Sequence, residues 1–283
     1  MSISSSAVLV QLNISAWTAN KLDRKQTEGV ISRNHASGRA AKVHKNLMVG
    51  TVAAKELNDL AAQCRLFHNQ WTLPFEDRGN RILPTSLFMD YKSQMNMRRK
   101  SFLDKVSNFK DSYHHHIQTT EHYLGDMFNP DDYPPVEEVM SKYAFNLTVK
   151  PMPEAGHFIL DIPAHDLEEV KESLSADNDA RLENAVGEAW HRMHKVLTDM
   201  STKLTEVEGE DKRRWFDSFV SNPQELCKML THLNVTGDPK LEEARRILEN
   251  TMFGADIDQI KESELVRHDM KTNVDKILEQ FDW

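Results

Sequence analysis

Residues 91–124 read YKSQMNMRRKSFLDKVSNFKDSYHHHIQTTEHYL. Their apolar members Tyr91, Met95, Phe102, Val106, Tyr113, Ile117 and Leu124 recur in alternating steps of four and seven. That is an eleven-residue repeat with a period near 3.67. It describes a long, nearly straight helix with one apolar stripe, which needs a partner along its whole length. Pro84-Thr85-Ser86 opens the helix; Gly125, with Pro130 beyond it, closes it. From Pro84 to Leu124 the span is ~60 Å at 1.5 Å rise per residue. Such a pattern calls for a scaffold rather than a pocket.

The partner is sought further along. Leu182, Val186, Ala189, Met193, Val196, Met200, Leu204 and Val207 step by threes and fours, a heptad-like seam. Between the two stripes, residues 129–135 are rich in turn formers. Tyr143 to Val149 and His157 to Ile162 flank Pro151-Met-Pro-Glu-Ala-Gly156 and read as a β-hairpin. Break and hairpin reverse the chain, so the two stripes are expected to pair antiparallel as a coiled-coil-like stem. Burying both is worth ~15–30 kcal/mol gross, before chain entropy is subtracted.

Around this stem the remaining elements are short. Ala7 to Ile14 is β-branched and partly alternating, a strand that would join the hairpin in a three-stranded antiparallel sheet. Ser15 or Thr18 is placed to cap a helix running to Arg33. Residues 34–50 read as a connector and Thr51 to Gln70 as a helix with Leu57, Leu60, Ala61, Cys64 and Phe67 on one face. Residues 71–84 read as a loop. Beyond the seam come helices at Asp211 to Phe219, Pro223 to Leu233, Pro239 to Met252 and Ile257 to Phe281. The expected class is mainly α (α+β), with a C-terminal helical segment. The expected division is 1–163 and 164–283, or one elongated domain.

Composition bounds the function. In 283 residues, 39% are apolar and 28% charged, with ten Gly and ten Pro, too few for an all-β protein. A net charge of -9 argues against a dedicated DNA-coating protein. Cys64 and Cys227 stand far apart without metal-type spacing and fit buried free thiols in a reducing compartment. No apolar run approaches the ~20 residues of a membrane span, and no basic stretch precedes the short apolar one near Met1. The expectation is a cytoplasmic protein that binds no membrane.

The motif search is mostly negative: neither common type of phosphate-binding Gly-rich loop, no His-Glu-x-x-His, no Cys-x-x-Cys and no Gly-x-Ser-x-Gly. His114-His115-His116 lies inside the long helix, where successive side chains point 100° apart and cannot share one metal. This cluster reads as a solvated face opposite Tyr113. Across the expected stem, Asp111 and His114 would come near His191, and the metal-site alternative, built as in helix bundles, is centred on Asp111, His115, Glu188 and His191. No cofactor is expected on the main reading.

Residues 21–45 carry Lys21, Arg24, Lys25, Arg33, Arg39, Lys42 and Lys45 against Asp23 and Glu28, a local +5. Arg33, Arg39 and Lys42 are the residues through which this segment would grip nucleic acid or an acidic partner. It carries no interleaved aromatics to stack bases. Residues 241–283, with eleven acids against six bases, could equally face it, within the chain or between subunits. Trp71, Leu73 and Phe75, or Phe281 and Trp283, are the expected interface anchors, because Trp and Phe dominate protein contacts and both places sit at loops or an end. Phe281 and Trp283 read either as a docked tail or as a handle.

Leu12-Asn-Ile-Ser-Ala-Trp17 is followed by a Lys/Arg-rich helix. Leu73-Pro74 precedes a long helix with Phe88, Phe102, Leu103 and Phe109, and Phe145-Asn-Leu-Thr-Val149 follows. This order, spread over residues 8–160, resembles a family of phage-encoded proteins of unknown function. Its members tend to be encoded beside a MoxR-type AAA+ ATPase and a von Willebrand factor A protein. The resemblance carries no catalytic residues to transfer. It implies a phage protein of the host cytosol serving as an adaptor to an ATPase; the expected function is a non-enzymatic helical adaptor or assembly protein, with homo-oligomerisation as a further expectation. A helix-bundle metal enzyme and a nucleic-acid binder are the rival classes.

Overall fold

The computed structural model describes residues 6–76, 79–153, 164–205 and 214–283. The described residues are mainly helical, with long helices over Phe88–Leu124 and Ala164–Leu204 and a small antiparallel sheet. In order, β1 is Ala7–Ser15, β2 Asn20–Leu22, α1 Arg24–Arg33, β3 His44–Asn46, α2 Ala53–Trp71, β4 Leu73–Pro74, β5 Arg81–Pro84 and α3 Phe88–Leu124. Then come α4 Val136–Ser141, β6 Ala144–Pro151, α5 Ala164–Leu204, α6 Ser218–Leu233, α7 Pro239–Thr251, α8 Ile257–Glu262 and α9 Glu264–Gln280. Among the described residues, no helix is long and apolar enough to cross a membrane.

The main sheet has the order β4-β5-β1-β6. β1 runs antiparallel to β5, from Ala7 opposite Pro84 to Val10 opposite Arg81, and β4 pairs antiparallel with β5. Among the described residues, four strands thus stand where three are expected. Residues 71–84, read as a loop, supply two of them, because Leu73, Ile82 and Leu83 are apolar and fully buried. The hairpin strand expected at His157 to Ile162 lies outside the described residues, as do the end of the seam at Val207 and the helix start at Asp211.

β2 and β3 form a separate two-stranded ribbon. It displaces the expected start of the first helix. Ala19, at φ 54, turns the chain after Trp17, and residues 20–22 then pair with 44–46. Asp23, rather than Ser15 or Thr18, caps α1, its Oδ1 accepting from the Gln26 amide at 3.0 Å. Gly50 ends the following connector at φ 80, with the Tyr123 ring lying where a Cβ would go.

The chain divides into two compact units, each discontinuous in sequence, whereas the sequence reading divides it at 163/164. The first comprises Met1–Gln11, Asn69–Tyr91 and Thr148–Trp283; the second comprises Leu12–His68 and Lys92–Leu147.

In the first unit, Ala185, Ala189, Met193, Leu197, Met200 and Leu204 of α5 are buried. They share one core with Met270, Val274 and Ile277 of α9 and with buried side chains of α6, α7 and the sheet. Leu182 and Val196 pack at its edge.

In the second unit, α3 buries Met95, Phe102, Phe109, Tyr113 and Thr120. The Phe102 ring meets Tyr143 at 6.3 Å and Phe145 at 5.8 Å. Phe109 meets Trp17 at 6.4 Å, Tyr113 at 5.9 Å and Tyr143 at 6.0 Å. Within the second unit, the first stripe from Met95 onward is thus covered by rings of that unit, and the second stripe forms part of the first unit's core. A stripe declares that it needs apolar cover; it does not name the cover, and rings arriving from β1, β6 and their flanks fill α3.

Candidate functional site

The second unit holds a cleft of about 610 Å³ lined by β2, the start of α1, Lys45 and residues 126–132. Its floor follows from the register of the β2–β3 ribbon, which sets Lys21 directly opposite Lys45. Like charges so placed repel unless an anion stands between them. Asp132 does so: its Oδ1 accepts from Lys21 Nζ at 2.7 Å and its Oδ2 faces Lys45 Nζ. Lys45 is buried, and its ammonium also donates to the Met127 carbonyl at 3.0 Å, with Asp23 Oδ2 at 3.8 Å. Asp23 thus caps α1 with one oxygen and balances Lys45 with the other. Burial pushes the Asp132 carboxyl up, but the two lysines together hold it below its usual range.

This floor is committed to structure: the Lys45 ammonium is surrounded by acceptors rather than presented to a substrate. The rim differs. Arg24 and Lys25 are exposed on the first turn of α1, and Arg33, Arg39 and Lys42 are exposed beyond it. Arg33 spends one donor on the Gly29 carbonyl at 3.1 Å. None of the five makes an ion pair within the described residues. A smaller cleft of about 370 Å³ lies along Leu12–Ser15, where Arg65 Nη2 donates to the Ile14 carbonyl at 2.7 Å.

Asp111 and His115 lie exposed on α3 in the second unit, on the face away from Tyr113. His116 stacks on Phe109 at 5.5 Å and meets Ser112 Oγ at 3.0 Å; burial, then the neighbouring His115, lowers its pKa. Glu188 and His191 belong to the first unit. Glu188 accepts from Arg192 Nε at 3.0 Å, and His191 is exposed. Among the described residues, no three His, Cys, Asp or Glu side chains are grouped to hold a metal ion. Arg192 itself is structural: its Nη2 donates to the Asn69 and Thr72 carbonyls, both at 2.9 Å, and its Nη1 to Gln70 at 3.2 Å, closing the end of α2.

The expected interface anchors separate. Leu73 and Phe75 are buried in the first unit's core, so no exposed patch forms there; the strand pairing of β4 draws them in. Trp71 is half-buried. Phe281 packs on Trp190 at 5.7 Å, and Trp283 stacks on His194 at 5.1 Å and meets Trp190 edge-on at 5.3 Å. The Trp283 indole donates to the Leu278 carbonyl at 2.8 Å, leaving the residue 39% exposed. Residues 281–283 are thus a docked tail.

The sequence reading misses two arrangements. Ser86 Oγ lies 3.1 Å from His232 Nδ1, a nucleophile-and-base pair at the surface of the first unit. Its partners are 146 positions apart, so no local motif could reveal it. No carboxylate hydrogen-bonds the ring of His232 among the described residues, so the third group that orients such a base is not assembled there.

The other is Phe253, 89% exposed. It follows the last turn of α7, where buried Met252 anchors the chain and its carbonyl accepts from Gln224 Nε2 at 3.2 Å. Gly254, at φ 69, turns the chain away, and the Ala255 amide returns to Met252 at 3.2 Å. The ring therefore projects from a hydrogen-bonded turn. A large apolar residue squeezed between the last helical position and a helix-ending glycine is the signal that could have found it. Comparison with protein-family models, with curated proteins and with solved structures found no match to this chain.

Proposed function

We propose that this chain is a non-enzymatic helical adaptor or assembly protein that acts through protein–protein contacts. The observation that carries the reading is Phe253. A phenylalanine almost wholly in water forfeits roughly 2 kcal/mol relative to a buried one. Here it is held on a turn closed by its own hydrogen bonds and by the buried Met252, so docking would freeze little additional freedom. Rigid aromatic side chains of this kind dominate protein interfaces. The resemblance of residues 8–160 to the phage family supplies the class of partner, an AAA+ ATPase in the host cytosol.

The test compares affinity capture by wild type and Phe253→Ala from cells that express the neighbouring phage genes. Because the ring makes no buried contact, the variant should keep the wild-type thermal midpoint. Its captured partner, an ATPase on this reading, should be lost. Identical partner lists would remove Phe253 as the anchor, and a catalytic turnover detected for Ser86 and His232 would favour an enzyme instead.

A further inference from the structure

The two compact units carry opposite charge. The second has sixteen Lys and Arg against twelve Asp and Glu, a net of +4. The first has nineteen against thirty-two, a net of -13. On the second, Arg24, Lys25, Arg33, Arg39 and Lys42 form an exposed basic segment, whereas Lys21 and Lys45 are held by Asp132.

On the first unit, the early turns of α5 carry seven acids against two bases from Ala164 to Asn184, a net of -5 that equals the net of residues 241–283. From His165 to Asn184 no residue of this helix is fully buried. Glu168, Glu172, Asp179 and Glu183 follow one another at steps of four, seven and four, so they share one face and form a stripe of ~22 Å. All four are exposed and none is ion-paired among the described residues. Leu167, Val170 and Leu174, only half-buried, line the same stretch of helix.

We infer that the chain self-associates through unlike patches, the Glu168–Glu183 stripe of α5 on one copy seating against the α1 segment, residues 24–42, of another. A second copy is the occupant the charges favour, because every molecule carries both members of the complementary pair. Nucleic acid is disfavoured: the same chain would bring the -13 of the first unit to the phosphates. A contact between two different patches is heterologous, so assembly continues beyond a pair unless it closes into a ring. The inference deepens the assembly reading above and rests on it only for that. It uses a surface other than Phe253, so the Phe253→Ala variant should associate as wild type does.

The experiment is sedimentation velocity on the full chain, with two triple charge reversals. The wild type should gain mass with concentration up to ~100 μM at ~50 mM salt, and the association should weaken at least tenfold by ~500 mM salt. Arg33→Glu with Arg39→Glu and Lys42→Glu should sediment as a monomer. Glu168→Lys with Glu172→Lys and Asp179→Lys should do the same, with both helical contents unchanged. An equimolar mixture of the two variants should reassociate, since each then meets its complement. A monomeric wild type at low salt would overturn the inference. So would association indifferent to salt and to both reversals, or failure of the mixture to reassociate. Salt-sensitive binding of a single-stranded oligonucleotide by a wild type that stays monomeric would overturn it in favour of nucleic acid.

Discussion

Phe109 is the sharpest test of how the second unit is built. Its ring is 1% exposed and sits among Trp17, Tyr113, Tyr143 and the stacked His116. Truncation to Ala removes a buried aromatic side chain and leaves a void, which costs about 3–5 kcal/mol. Phe109→Leu keeps most of the volume and loses the ring geometry, so it should cost less, about 1–2 kcal/mol. His115→Ala, one helical step from the half-buried His116 but exposed, should cost under about 0.5 kcal/mol. Native-state hydrogen exchange read by mass spectrometry on peptides from 95–124 and 53–68 isolates this unit from the other. At about 1.4 kcal/mol per tenfold change, Phe109→Ala should speed exchange of its slowest amides by roughly two to nearly four orders of magnitude. An effect below tenfold for Phe109→Ala, or an equal effect for His115→Ala, would refute the assignment of the buried face of α3.

Two further outcomes follow from the ion pairs. Asp132, held below its usual range between Lys21 and Lys45, adds stability above the unfolded carboxylate pKa near 4 and loses it as the pH falls through its lower folded value. The stability gap between wild type and Asp132→Asn should therefore be full at pH 7 and close below about pH 4 in urea titrations; a gap constant with pH would show that the carboxylate charge is not what holds the ribbon. Arg192→Leu should destabilise the first unit by about 2–3 kcal/mol, because three backbone carbonyls lose a charged donor, with the loss read as faster exchange in 69–76 and 185–204.

The sequence determined the elements, because hydrophobic period and capping chemistry are local. The four-and-seven stripe placed the long helix with its start after Pro84 and its end at Gly125, and the threes and fours of residues 182–204 placed α5. The mainly α class with a small antiparallel sheet followed from the same patterns. The sequence also read His114, His115 and His116 as a solvated face; the structure exposes His114 and His115, while His116 is half-buried against Phe109, because three successive helical residues span too wide an arc to share one face.

What covers each stripe was decided only by the tertiary structure. An apolar face accepts any apolar cover of the right shape, so nothing in its period distinguishes α5 from the rings of Trp17, Tyr143 and Phe145. Residues 71–84 look like a loop because their strands are short and contain prolines; pairing with β1 makes them sheet. Lys21, Lys45 and Asp132 look like members of a charge run and a turn until the β2–β3 register brings the two lysines opposite each other. The same holds for the split of charge between the two units. It is invisible along a chain whose units interleave, and it emerges only once the fold has sorted the residues.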